Sequence, residues 1–183
     1  MLSISTERLA GTFTVDAAHS TLRFSIAHLK VATFTAAFDD IECTLIADEE
    51  GIRLAGSVGV ESVSIRTPPG FREHVVYGGE FFDASRYPRI GFRASNVRLS
   101  DDGRLELDGE LTLKGVTQPF HASGTWRPPT TDPWGGTRIG ADVSATIDRR
   151  HWHMTYQLPM PDGSDAIGYE VSISAHFELI RSE

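Results

Sequence analysis

The sequence predicts an all-β fold, a closed antiparallel barrel of eight strands with one short helix at about residues 69–78. Three observations carry that prediction. Apolar and polar residues alternate through almost the whole chain from Thr12 to Leu179, the period of a sheet with one buried face. The alternation slips phase in two or three places, where a bulge would bend a long strand. Almost nothing helical is available to cover such a sheet, so closure on itself is the way its apolar face leaves water.

A tail is expected over residues 1–11, followed by a strand in which Phe13 and Val15 share a face. Asp16-Ala17-Ala18-His19-Ser20 supplies turn chemistry before Leu22, Phe24, Ile26 and His28 alternate in the next strand. An irregular or helical turn over Leu29 to Thr33 then leads to Phe38, Ile41, Cys43, Leu45 and Ala47, which end in the acidic turn DEEG. Ile52, Leu54, Val58 and Val60 continue the pattern, and the slip to Val63 and Ile65 across Glu61-Ser62 reads as a bulge. Pro68 and Pro69 open the helix and Gly78-Gly79 close it. Phe71 and Val75, four residues apart, give it one apolar edge, so it lies on the barrel as a lid.

Pro88 fixes its own φ, lacks an N–H and pushes Tyr87 toward an extended backbone, so a strand begins there. Ile90, Phe92 and Ala94 share its inner face, and the phase passes to Val97 and Leu99 after Asn96 as at a second bulge. Phe81 and Phe82, in the loop before it, read as a plug at the barrel end. Asp102-Gly103 is a hairpin signal. Leu105, Leu107, Leu111 and Leu113 then keep one phase through Gly109, which favours a single long strand. Lys114-Gly115-Val116-Thr117 turns the chain, and Phe120, Ala122, Gly124 and Trp126 return. RPPTTDPWGG reads as the one long loop. Ile139 to Ile147 and Tyr169 to Leu179 form the last two strands of a single domain over residues 12–183.

Composition narrows the function classes. With 183 residues, 40% apolar and 23% charged, the chain suits one globular domain. A net charge of −8 argues against a nucleic-acid partner and against docking on anionic lipid through a polybasic face. Cys43 is the only cysteine, so neither an intrachain disulfide nor a Cys-rich zinc site forms, and its place in IECTL suits an inert core thiol. The opening residues lack a signal-peptide pattern and no run reaches eighteen apolar residues. The chain therefore reads as cytoplasmic, without a transmembrane segment.

The residues expected inside the barrel are the candidate ligand wall. Phe24, Ile26, Val58, Val60 and Phe92 come from the first half of the chain. Leu111, Leu113, Ile139, Val143, Val171 and Ile173 come from the second. His28, Phe82 and Trp152 complete the set. Small residues interleave with these, so the interior is either close-packed or hollow, and both readings stay open. A hollow one selects an elongated apolar guest, because ten residues of strand span about 30–35 Å. Each five-carbon unit buried there contributes about 3–4 kcal/mol before ordering costs.

Polar candidates divide into two groups. Arg72, Asp83, Lys114 and Arg149 form either a polar mouth for a head group or salt links that tie helix and loops to the barrel. His151 and His153, two apart on a common face if extended, could hold a metal with His74 or His28. Hydrogen-bonded or surface histidines are the plainer account. Asp16, His19 and Ser20 are neighbours in one turn and do not acquire triad geometry by adjacency, so no catalytic residue is assigned. Trp126, Trp134 and Trp152 line an opening or pack in the core. Asp162-Gly163-Ser164-Asp165 lacks the later ligands of a calcium loop and reads as a turn.

A run of motifs also carries a resemblance. Val15-Asp16 with His19-Ser20, Phe24 and His28 stand in order with Arg72, Phe81-Phe82-Asp83, Tyr87-Pro88 and Phe92. Gly109 with Leu111, Lys114-Gly115-Val116-Thr117, Pro119 and Arg149 follow. This order and spacing resembles the YceI-like, or polyisoprenoid-binding, family over nearly all of Thr12 to Leu179. The resemblance implies a lipocalin-like barrel with a long apolar tunnel. That tunnel would hold an isoprenoid or quinone-like lipid and serve storage, transport or stress protection. It implies a binding protein rather than an enzyme, one that requires no cofactor beyond such a lipid. The sequence departs from the family at three places. Arg72-Glu73-His74-Val75-Val76 moves the usual helix histidine one place earlier, Ala36 replaces a glycine, and Asp148-Arg149-Arg150-His151-Trp152-His153 gains two histidines. The alternative these departures keep in view is a histidine-dependent metal or haem protein on the same barrel. A homodimer also stays open.

Overall fold

The computed structural model describes residues 9–66, 68 and 70–182. Residues 1–8 of the expected tail and Pro69 of the expected helix start lie outside the described residues. Ten strands appear in chain order: β1 Gly11–Val15, β2 Thr21–His28, β3 Ala32–Phe38, β4 Ile41–Asp48, β5 Gly51–Gly59, β6 Arg89–Leu99, β7 Arg104–Leu113, β8 Val116–Thr131, β9 Thr137–Asp148 and β10 Ile167–Arg181. One helix, α1, spans Phe71–Tyr77.

The first four strands count as two. β1 and β2 are halves of one bent strand, broken by a 3-10 turn at Ala17–His19 whose first N–H, from Ala18, Asp16 accepts at 3.1 Å. β3 and β4 are halves of the next, broken at Asp39-Asp40. β1 pairs with β4 and β2 with β3, while both β1 and β2 pair with β10. The remaining neighbours are consecutive antiparallel strands, so the ring closes as an eight-stranded lipocalin-like barrel. β1 closes the ring between β4 and β10, while β3 pairs with β2 on one side and on the other meets the chain at Phe38↔Val63 and where the Ser64 N–H donates to the Ala37 carbonyl at 2.8 Å.

Local readings hold where turn chemistry is explicit. The register shifts between Ala94 and Asn96, as the phase slip predicts. β7 runs unbroken through Gly109, where an added Cβ would come within 2.8 Å of the backbone Cα of Ala94. The backbones of β6 and β7 can approach that closely only over a glycine, which lets the sheet bend into a barrel.

Three expectations are corrected and one is made specific. Leu9 is fully buried and Gly11 already pairs with Ala47, so the ordered barrel takes in residues assigned to the tail. The slip at Glu61-Ser62 is a 3-10 turn, Val60–Ser62, rather than a bulge within a strand. The turn expected at Leu29 to Thr33 is present and short, with Leu29 and Lys30 both left-handed, at φ of 53° and 61°, and β3 already begun at Ala32. The first half of the supposed long loop is strand: β8 continues to Thr131, and the register shift between Arg127 and Thr130 accommodates Pro128 and Pro129, which have no N–H to give the ladder.

Two apolar clusters close the barrel's ends. At one end Leu9, Phe13, Leu105, Trp126 and Leu179 pack together, and the Trp126 indole donates to the Ser100 carbonyl at 2.9 Å. At the other, Val75 and Val76 of α1 pack with Phe82, Val60 and Trp152.

Candidate functional site

Between those clusters lies a cavity of about 660 Å³, within the range of ligand pockets. It runs along the barrel from Leu99, Trp126 and Leu179 to His28, Tyr156 and Leu158. Its wall is the inward face that strand alternation produces. Val143 and Ala145 of β9 face Ala175 and Ile173 of β10 across paired positions. These central residues are instructive: Val143, Ala145 and Ile173 point inward yet are only half-buried, because space rather than protein lies in front of them.

The predicted wall residues distribute plainly. Phe24, Ile26, His28, Val58, Phe82 and Phe92 line the cavity, as do Leu111, Leu113, Ile139, Val143, Val171 and Ile173. Val60 and Trp152 do not. Val60 opens the 3-10 turn and packs under α1, and Trp152 ends the turn Arg149–Trp152 with its indole donating to the Leu111 carbonyl at 3.2 Å. Both sit where the chain has left the ladder, so strand alternation no longer tells which way a side chain points. Sequence reasoning missed Phe34, Phe71, Tyr156 and Leu158 on the wall. The run MTYQLPMP around the last two has no period to read, whereas Phe177 and Leu179 of β10 were in phase and could have been included.

Aromatic rings form the cap. Phe82 meets Phe24 at 6.2 Å and Phe38 at 5.9 Å between centroids, both edge-on. Phe81 lies 4.4 Å from Tyr156, and His74 packs edge-on against both rings. The mouth is marked by cavity-lining residues that are also exposed, namely His28, Ala32, Thr33, Pro68 and Leu158.

Three of the four polar candidates donate to backbone carbonyls, and the fourth, Asp83, pairs with Arg86. Arg149 is 5% exposed; its guanidinium donates to the carbonyls of Gly168 at 2.9 Å, Tyr156 at 2.9 Å and Met154, and lies over the Tyr169 ring. Desolvation lowers its pKa from the usual arginine value, and no carboxylate pairs with it among its described hydrogen bonds and ion pairs. It is nonetheless part of the cavity wall. Lys114 donates to the carbonyls of Gly79 at 2.6 Å and His153 at 3.0 Å, and partial burial lowers its pKa. Arg72 donates to the Glu61 carbonyl, and Asp83 sits 3.5 Å from Arg86. Of the four only Arg149 touches the cavity. Arg72 ties α1 to the turn at Val60–Ser62, Lys114 ties the loop after α1 and the chain at His153 to the end of β7, and Arg149 ties Met154 and Tyr156 to β10.

The set His74, His151 and His153 is not assembled. His151 lies in a 3-10 turn and His153 is left-handed with φ 56°, so the two do not share the face that an extended segment would give them, and His74 is engaged by Phe81 and Tyr156. Among the described residues the His, Asp and Glu atoms that do converge are those of Asp16, His19 and Glu178. Arg138 already serves them, donating to Asp16 at 2.8 Å and Glu178 at 2.5 Å. Cys43 faces the cavity, and burial pushes its thiol up to about 12, which leaves it protonated and inert. Trp134 is 85% exposed at the far end, away from the opening, and Asp162 to Asp165 form a turn.

Comparison with known proteins agrees with this geometry. The YceI-like domain family matches residues 13–179. A UPF0312 protein of Vibrio parahaemolyticus is 29% identical over 167 residues, covering 90% of this chain and 86% of the relative. In three dimensions the chain is similar to BcnA of Burkholderia cenocepacia, with a TM-score of 0.72 at 19% identity, covering 90% of this chain and 98% of that one. It is also similar to a polyisoprenoid binding domain from Saccharophagus degradans, with a TM-score of 0.69 at 14% identity over 93% and 98% of the two chains. On a match that spans nearly every strand of the barrel, the chain belongs to the YceI-like family.

Proposed function

We propose that the barrel binds an elongated apolar ligand, an isoprenoid or quinone-tailed lipid, in its interior, and does so to store, carry or shield that ligand rather than to transform it. One observation carries the reading: inward side chains such as Val143, Ala145 and Ile173 face an apolar space of about 660 Å³ instead of one another. The wall is apolar along most of its length, with His28, Thr33 and Tyr156 and the backbone-tied Arg149 as its polar side chains toward the mouth end, so affinity comes mainly from burial. At about 0.8 kcal/mol per methylene, three five-carbon units outweigh the cost of ordering a flexible chain. The structural neighbour that bears the name polyisoprenoid binding domain adds support for this ligand class. The test is to incubate the purified protein with a prenyl-tailed quinone and pass it through gel filtration. Co-elution at one equivalent is expected, and quinone that separates cleanly from the protein overturns the reading.

A further inference from the structure

The tip of the β2–β3 hairpin is built against the preferences of its turn. The closing pair His28↔Ala32 leaves a three-residue loop, Leu29 to Val31, whose first two residues are left-handed, a conformation in which Asn and Gly are favoured and a bulky apolar side chain is strained. Here they are Leu29 and Lys30, followed by Val31, which is 85% exposed. The tip is also held firmly. The Leu29 N–H donates to the Ala166 carbonyl at 2.6 Å, the Ala166 N–H donates to the Leu158 carbonyl at 3.0 Å, and Lys30 pairs with Asp162 at 3.2 Å. That chain of bonds sets Leu29, 40% exposed, in one patch with Leu158, 48% exposed, and Leu158 is itself part of the cavity wall. The apolar lining thus continues over the lip into solvent. Of the neighbouring carboxylates, Asp162 is paired with Lys30 and Asp165 accepts a hydrogen bond from the Tyr169 hydroxyl.

We infer that this lip, Leu29, Val31 and Leu158, is a shallow wedge that enters the surface of a phospholipid bilayer, so that the cavity mouth opens onto the apolar layer. The inference rests on the proposed lipid-binding function, since a guest that must leave one apolar phase for another gains from a path that never crosses water. A net charge of −8 argues against an electrostatic attachment, and a local apolar lip whose lysine is paired with Asp162 is a contact that does not depend on one. A second copy of the chain fits less well, because a stable interface needs about 800 Å² from each partner and three side chains fall far short.

The test is flotation of the full chain with phosphatidylcholine vesicles, beside the variants Val31→Asp and Trp134→Ser. The parent and Trp134→Ser are expected to float, at low and at high salt alike. Val31→Asp should lose about tenfold of the vesicle-bound fraction with an unchanged melting temperature. A parent that stays at the bottom, a Val31→Asp chain that floats equally well, or a lip substitution that changes only a monomer–dimer equilibrium would each overturn the wedge. Quinone co-elution in gel filtration separates the two ideas: uptake without flotation removes the wedge alone, and flotation without uptake removes the ligand alone.

Discussion

The ring of Phe92 covers Gly56, its partner across the β5–β6 ladder: a Cβ built on Gly56 would come within 2.7 Å of the ring, and closer still to the Glu42 carbonyl. The ring rests on the wall because the wall has no side chain there. Gly56→Ala is therefore expected to destabilise the protein by about 1–3 kcal/mol through overpacking and to press Phe92 into the lumen. Chemical denaturation and quinone co-elution measure the two effects.

Filling the lumen from the opposite wall should act differently. Ala145 of β9 is half-buried and faces the cavity, so the ring of Ala145→Phe enters space rather than neighbours. Its melting temperature should hold or rise. A ring that displaces two methylenes of guest weakens binding by about tenfold, which a quinone titration would read.

The buried guanidinium of Arg149 separates a structural clasp from a head-group site. Arg149→Met would leave the carbonyls of Gly168, Met154 and Tyr156 without their donors, so a loss of about 3 kcal/mol in unfolding free energy is expected. If Arg149 instead served a ligand head group, the fold would be spared and only affinity would fall.

Arg138 sets the acid limb of stability. It holds the Asp16 carboxyl at about 2 and keeps Asp132 below its usual value. Both folded values lie under the unfolded ones, so the contribution is complete above the ordinary carboxylate range, near pH 4, and is lost as pH falls toward 2. Melting curves should show the widest gap between the parent and Arg138→Gln above about pH 5, closing toward pH 2.

Cys43, buried in the wall with its thiol pushed up to about 12, should resist iodoacetamide in the native protein at pH 8 and react on unfolding, as mass spectrometry of the alkylated chain would report.

The barrel was legible because its strands keep a two-residue period for most of their length, and Leu105 through Leu113 announces β7 even across a glycine. The hollow was not. Val143, Ala145 and Ile173 would read identically in a filled core, since whether opposed side chains meet depends on the circumference of the ring and not on any one strand. The placements of Val60 and Trp152 escaped for a related reason: both stand in 3-10 turns, where the period that assigns a face has ended. Arg72, Asp83, Lys114 and Arg149 read in sequence as either a polar mouth or salt links, and three of them donate to backbone carbonyl oxygens, which carry no signature in sequence.

Extraction of the purified protein into organic solvent, with mass spectrometry of the extract, addresses the central claim most directly. A prenyl-type or similarly long apolar compound near one equivalent is expected from the parent and should be largely absent from Ala145→Phe. Extracts that are equally bare from both, or that yield the same compound in the same amount from both, would contradict a guest seated in this lumen.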